Sequence, residues 1–145
     1  MSRISSINKE WKEEESIRGG TWKYRDLSGD RLGVRIEELA PGGTSSEHHF
    51  HTTEEEHVIV LEGTATLVLG TEHHKLDAGD HTWFLAGEDT AHHIKNTSDK
   101  PFKFLVFGER NSQDVVVYPR HQVMMVKSLG FKQFTYRDIP SKKES

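Results

Sequence analysis

At 145 residues, with 33% hydrophobic and 29% charged side chains, the chain has the length of one folded unit and not of two. A net charge of -4, with Lys and Arg scattered among the acids, leaves no basic field to attract nucleic acid or an anionic membrane. There is no cysteine, which excludes disulfides, iron–sulfur clusters and thiolate zinc sites.

The N-terminal stretch up to about Gly19 is polar. Within it INKEWKEEES reads as one short helix lacking a sustained apolar face, and no apolar core of signal-peptide length is present. No apolar run approaches the roughly 20 residues that a membrane helix needs, so the expectation is a cytoplasmic protein without a membrane partner. Beyond Gly20 the pattern changes to short apolar runs: TWKYR, GVRIEEL, EHVIVL, TATLVL, HTWFL, AHHIKN, FKFLVFG, DVVVYP and QVMMVK. Turn-type segments separate them, among them SGD, APGG, DAGD and NTSDKP. Val, Ile, Thr and aromatic residues dominate the runs, and none keeps helical spacing long enough to argue for a helix.

Many short strands without intervening helices predict an all-β sandwich or barrel in a single domain. VIVL and FLVF are apolar on both faces, which calls for cover by a second sheet or a partner subunit. The expected organisation is an N-terminal segment over 1–30 that ends in an edge strand, a barrel over 31–127, and a C-terminal segment over 128–145. The last of these closes in a flexible SKKES tail.

The chemistry concentrates in EHHFHTTEEEHVIVLEG, from Glu47 to Gly63, which holds four histidines and five glutamates. Alternate residues of a strand share a face, so His49 and His51 point one way while His48 and Phe50 point the other. Two imidazoles so placed can reach one ion, a carboxylate beyond the TT turn can add a third ligand, and a distant His a fourth. Held by imidazole and carboxylate, the ion would be divalent iron, manganese, nickel, cobalt, copper or zinc. Alternation does not choose between Glu55 and Glu56. His57, Ile59 and Leu61 make one face of the next strand and Val58 and Val60 the other, and both are largely apolar.

GTSSEHHFHTTEEEHVIVLEG resembles the first motif of the cupin superfamily, G-x5-H-x-H-x3–4-E-x6-G, through Gly43, His49, His51, Glu56 and Gly63. GDHTWFLAGEDTAHHIKN resembles the second motif, G-x5-P-x-G-x2-H-x3-N, through Gly79, Gly87, His92 and Asn96. Leu85 stands where that motif has proline, and four residues instead of two separate Gly87 from His92. The likeness runs from about Gly33 to Pro119 and matches small stand-alone cupins. It implies a double-stranded β-helix, a jelly-roll barrel, with the ion inside on His49, His51, Glu56 and His92. It also assigns the ligand role to Glu56 over Glu55, counting back from Gly63, and to His92 over His93 through the spacing to Asn96. Gly43, Gly63, Gly79 and Gly87 would then make turns that need positive φ or close backbone approach.

The remaining candidates carry plainer expectations. His48, His93 and His57 turn away from the ligand face, His73, His74 and His121 sit on the surface, and His81 stays open between pocket and surface. Glu54, Glu55 and Glu62 read as a solvated acidic turn. Trp83, Phe84, Phe102, Phe104 and Phe107 read as core or subunit contact. The function implied is a metal-dependent enzyme acting on a small polar metabolite inside the barrel, of oxygenase, isomerase or related type. The alternative is a sugar- or metabolite-binding sensor without turnover. No catalytic residue is assigned beyond the ligand set, no basic cluster near either motif announces a phosphate, and the apolar outer faces predict a homodimer.

Overall fold

Antiparallel pairing organises the chain because each short apolar run is followed by a turn that sends the next run back beside an earlier one. The computed structural model describes residues 3–8, 11–15 and 21–139, with 14, 15 and 21 as backbone alone. The first six strands are β1 (Lys12–Glu15), β2 (Thr21–Asp26), β3 (Leu32–Leu39), β4 (Phe50–His51), β5 (Glu56–Glu62) and β6 (Thr64–Leu69). They are followed by β7 (Glu72–Asp77), β8 (His81–Phe84), β9 (His92–Lys95), β10 (Phe102–Glu109), β11 (Val115–Tyr118), β12 (Val123–Val126) and β13 (Lys132–Thr135). Among the described residues the single helical turn is the 3-10 segment Lys127–Leu129. The sheets have the orders β1-β2-β3-β10-β5-β8, β13-β12-β11-β4 and β7-β6-β9. Every pairing is antiparallel, and the crossovers that place β10 between β3 and β5, and β9 beside β6, make this a jelly-roll barrel.

The apolar runs anticipated from sequence are strands here. Within INKEWKEEES, read as a short helix, the described Lys12–Glu15 is instead a strand paired with β2, in the register Lys12↔Tyr24 to Glu15↔Thr21. Without an apolar stripe to bury, a helix there would gain little, whereas pairing at the sheet edge satisfies the backbone. Two further strands carried no sequence signal. β7 buries only Leu76, and β13 is exposed along its length, so the alternation that marks a half-buried strand is missing. The SKKES tail lies outside the described residues.

The core fills the barrel with inward side chains of β3, β5, β6, β9 and β10, including Leu39, Val58, Val60, Leu67, Ile94 and Phe104. Phe102 and Phe104 are 0% and 1% exposed, and truncating such a side chain to alanine costs about 3–5 kcal/mol. Phe84 joins the core as expected, while Trp83 is turned out to 52% exposure.

Asn96 is fully buried and staples a turn. Its Nδ2 donates to the carbonyls of Leu39 (3.0 Å) and Lys100 (2.8 Å), and its Oδ1 accepts from the amide and hydroxyl of Ser98. Gly63, between β5 and β6, takes a φ of 85°, and a Cβ there would stand 2.7 Å from the Pro101 carbonyl oxygen. In the Gly42-Gly43 pair it is Gly42 that adopts positive φ (83°). Gly43 is buried, with its amide bonded to Ala40 and its carbonyl to Asn96.

Candidate metal centre and adjoining cleft

The two histidine-bearing segments are tied directly together. The His49 amide donates to the His92 carbonyl (3.2 Å) and the His92 amide to the His49 carbonyl (2.9 Å), a closed antiparallel bridge. Such a pair projects both side chains to the same side. The imidazole of His49 accordingly lies 4.7 Å from that of His92 and 5.0 Å from that of His51, ring centre to ring centre. Glu56 opens β5 and shares a face with Val58 and Val60, each 2% exposed. Burial thus decides between the two faces that sequence alternation left equal. Glu55 turns the other way and takes a hydrogen bond from His57 Nε2 at 2.7 Å.

One donor atom from each of His49, His51 and Glu56 can be chosen so that all lie within 4.8 Å of one another. Glu56 reaches toward His51 Nε2 (3.5 Å) with Oε2 and toward His92 Nε2 (3.7 Å) with Oε1. The ring of His92 lies flat on Phe84, with centroids 3.4 Å apart and planes at 1°. Tautomers follow from the partners. His49 Nδ1 stands 2.7 Å from the Glu47 carbonyl oxygen and His51 Nδ1 2.7 Å from Asp114 Oδ2. Both partners only accept, so both Nδ1 atoms carry hydrogen and, in the neutral ring, both Nε2 atoms present a lone pair. Neither nitrogen of the buried His92 has a hydrogen-bond partner. An imidazole stripped of water and left without partners is costly, and a cation at Nε2 removes that cost. Three imidazoles and one carboxylate, with lone pairs turned inward, fit a divalent transition ion.

The electrostatics keep the set ready for a cation. Burial and the neighbouring His92 press the His49 pKa down to about 4, so its ring is neutral at physiological pH. Burial alone would raise the Glu56 carboxyl. The close approach of His92 at 3.7 Å, then His49 and His51, outweighs it and holds the group below its usual range.

Asp114, which the sequence reading missed, is fully buried and orients His51. It also accepts from the Thr53 amide (2.9 Å), the Thr53 hydroxyl (2.9 Å) and, at 3.5 Å, the Thr52 hydroxyl. A carboxylate behind a metal-facing imidazole fixes its tautomer and raises its basicity. The residue lies 63 positions from His51, at the turn into β11, and only the pairing of β11 with β4 brings them together. Glu54 overturns the expectation of a solvated acidic turn. It is 8% exposed and accepts from Lys127 Nζ (2.6 Å) and the Asn111 amide (2.8 Å). His51, Glu54 and Asp114 could also group around a cation, but His51 Nδ1 already faces Asp114 Oδ2, and Lys127 and the Asn111 amide already engage Oε2 of Glu54.

The other histidines divide as alternation demands. His48 and His93 are each 8% exposed on the opposite face and meet each other, Nδ1 to Nδ1, at 2.8 Å. His73, His74 and His121 are exposed, and so is His81, which stacks between His57 and Trp83 on the outer surface.

Beside the candidate centre lies an inner cavity of about 210 Å³, walled by Val58, Phe84, Ile94, Phe104 and Val106, with Arg35, Glu37, Ser45 and Ser46 as its polar groups outside the ligand set. A wider outer cleft of about 460 Å³ adjoins it, and Arg35, Glu56 and Val106 line both. Arg110 and Lys127 also line the outer cleft. Three cations far apart in sequence thus converge where no local basic cluster announced them.

A barrel of this topology is a small jelly roll, and its inward imidazoles and carboxylate could hold a metal ion. The family model for the cupin domain, Cupin_2, matches residues 35–108, just over half of the chain, and the protein belongs to that family. Among solved structures the chain is similar to a sugar phosphate isomerase of the cupin superfamily from Silicibacter pomeroyi. The two are 29% identical, with 85% of this chain and 82% of that one covered and a TM-score of 0.74. It is similar also to a candidate sugar phosphate isomerase from Acidithiobacillus ferrooxidans, at 28% identity, 84% and 83% coverage and a TM-score of 0.77. The polyketide cyclase of Streptomyces resistomycificus shares the fold at 24% identity, 75% and 80% coverage and a TM-score of 0.62. No curated protein sequence matches the chain. Among the described residues no helix is long and apolar enough to cross a membrane.

Proposed function

We propose that this cupin is a metal-dependent enzyme acting on a small polar metabolite in the inner cavity, with His49, His51, Glu56 and His92 as the ligands of the ion. The observation that carries the reading is the buried His92 ring. Both its nitrogens lack partners, and it stands beside two imidazoles whose lone pairs also face inward. A bound divalent ion supplies Lewis-acid polarisation of a substrate oxygen.

Isomerisation of a phosphorylated sugar is the reaction to test first, supported by the names of the two structures at 28–29% identity. An aldose–ketose conversion moves a proton between neighbouring carbons and needs a base beside the substrate. Glu37 is the carboxylate of the inner cavity outside the ligand set, 6% exposed, and takes that role here. The apolar walls exclude water from the reacting atoms. A homodimer belongs to the same reading. β8 is the edge of the six-stranded sheet and carries the exposed Trp83, and light scattering at micromolar concentration that shows only monomer would remove it.

The test is elemental analysis of the purified protein, followed by a turnover screen of aldose and ketose phosphates and their unphosphorylated forms. A stoichiometric transition metal with interconversion of one pair is the expected result. Protein that neither retains nor takes up a transition metal at neutral pH overturns the assignment. Metal and ligand binding without turnover across the panel would instead identify a sensor.

A further inference from the structure

Arg35 occupies an unusual position for a cation beside a metal centre. Its guanidinium stacks over Tyr24, 4.2 Å from the ring centre, and near Trp22 at 5.1 Å, and those two rings stack on each other at 4.5 Å. The aromatic faces hold the guanidinium carbon without using the five N–H donors at its edge. The buried Nε has no hydrogen-bond partner. The carboxylate of Glu37 forms an ion pair with Nη1 at 3.9 Å, too long to take up an N–H donor.

Four of the five acids of the outer cleft are differently placed, because each already has a donor, while Glu56 faces the imidazoles of His51 and His92. Glu54 accepts from Lys127 and the Asn111 amide, Glu55 from His57, Asp26 from the Ser28 amide, and Glu109 from the Glu55 amide. Arg110 gives an Nη1 hydrogen to the Gly29 carbonyl. The group left with unspent capacity at the junction of the two cavities is therefore a rigid cationic donor, and its complement is an acceptor that carries negative charge.

We infer that Arg35 binds an oxyanion of the substrate, a phosphoryl or carboxylate group held at the junction while the rest of the molecule reaches inward to Glu37 and Glu56. A guanidinium so held suits the two-point contact that such groups make. The inference rests on the proposed function only in calling this ligand a substrate; the anion site itself follows from Arg35 and the two cavities.

The experiment is calorimetric titration of inorganic phosphate, and separately of acetate, into the full-length protein. Both the metal-loaded and the chelator-treated forms are measured, with zinc titrated in parallel. Arg35→Gln should weaken phosphate binding about tenfold or more in both forms, as expected for losing charged hydrogen bonds, with zinc affinity within about threefold of the parent. Removing Arg35 takes its ion-pair cation from Glu37, so Arg35→Gln/Glu37→Gln, checked by thermal melting, is the second variant and should show the same loss. Tighter binding of phosphate than of acetate assigns a phosphoryl group, and the reverse assigns a carboxylate. Phosphate affinity unchanged in the double variant, or a loss seen only in the metal-loaded form, overturns the proposal. Failure of the parent to bind zinc would defeat the metal-enzyme reading while leaving the chelator-treated arm to decide on Arg35.

Discussion

Two pairs of buried histidines sit one residue apart on the same two segments and behave differently. His49 and His92 face the cavity, where His49 is held through Nδ1 and His92 has no partner at either nitrogen. His48 and His93 face the other way and satisfy each other at 2.8 Å. All four are at most 8% exposed, so burial does not distinguish them. The distinction is in spent and unspent lone pairs, and it arises because consecutive residues of a strand point to opposite faces. A doubled histidine thus serves packing with one ring and leaves the other for the ligand role proposed for it.

The strongest way to break the comparison is to exchange the damage. His49→Ala/His51→Ala should abolish metal binding, a fall of at least about a hundredfold, since two first ligands are gone. His48→Ala/His93→Ala should hold metal affinity within about threefold while lowering thermal stability. Metal titration of both double variants under one set of conditions decides it. Equal losses would mean that the two faces are not functionally separate.

Asp114→Asn sharpens the same contrast one step further out. It leaves every proposed ligand in place and removes the carboxylate that fixes the His51 tautomer, so metal affinity should fall about 10–100-fold. An affinity equal to the parent would show that His51 needs no such support.

Acid should strain both pairs in the metal-free protein. The unfolded chain takes up protons at imidazole near 6.5, whereas burial holds His49 and His93 down at about 4. The contribution of these two groups should therefore be flat above pH 6.5 and decline as pH falls from 6.5 toward 4. The difference is on the order of 3 kcal/mol for the deeply buried His49 and smaller for His93, where solvent screens part of the effect. Urea melts at half-unit pH steps measure it, and His93→Gln should flatten part of the slope. A parent whose stability is the same at pH 7 and pH 4.5 would contradict the burial argument.

The smallest effects separate neighbouring glutamates. Glu55→Ala should leave metal affinity unchanged and cost only a few tenths of a kcal/mol, because its pair with His57 is partly solvated. Glu54→Ala removes the buried partner of Lys127, and should cost about 3 kcal/mol in stability. Chemical denaturation of the two variants gives the ranking, and the opposite order would place Glu54 in solvent.

The barrel was legible in sequence because its interior strands announce themselves through dense β-branched and aromatic runs. His49, His51, Glu56 and His92 stood out in sequence through their resemblance to the cupin motifs; the fold gathers donor atoms of the first three within 4.8 Å of one another and sets His92 Nε2 3.7 Å from Glu56. Glu54 was misread, because three consecutive glutamates look alike in one dimension and only the approach of Lys127, 73 residues away, buries the first of them. Asp114 left no local trace for the same reason. β1 was misread as helical, since a short charged stretch lacks the periodicity that separates the two states. Arg35 was overlooked because a lone arginine in an apolar strand gains its meaning from Tyr24 and Trp22 on the neighbouring strand.

The placement of β4, β5 and β9 has a further consequence. Each belongs to a different sheet of the barrel, so an ion held by His51, Glu56 and His92 would be a rivet through all three. Its binding free energy would be shared with the fold as a whole. Metal affinity would then report on the global opening of the barrel as much as on local coordination, and weakening a remote sheet contact would be felt at the rivet.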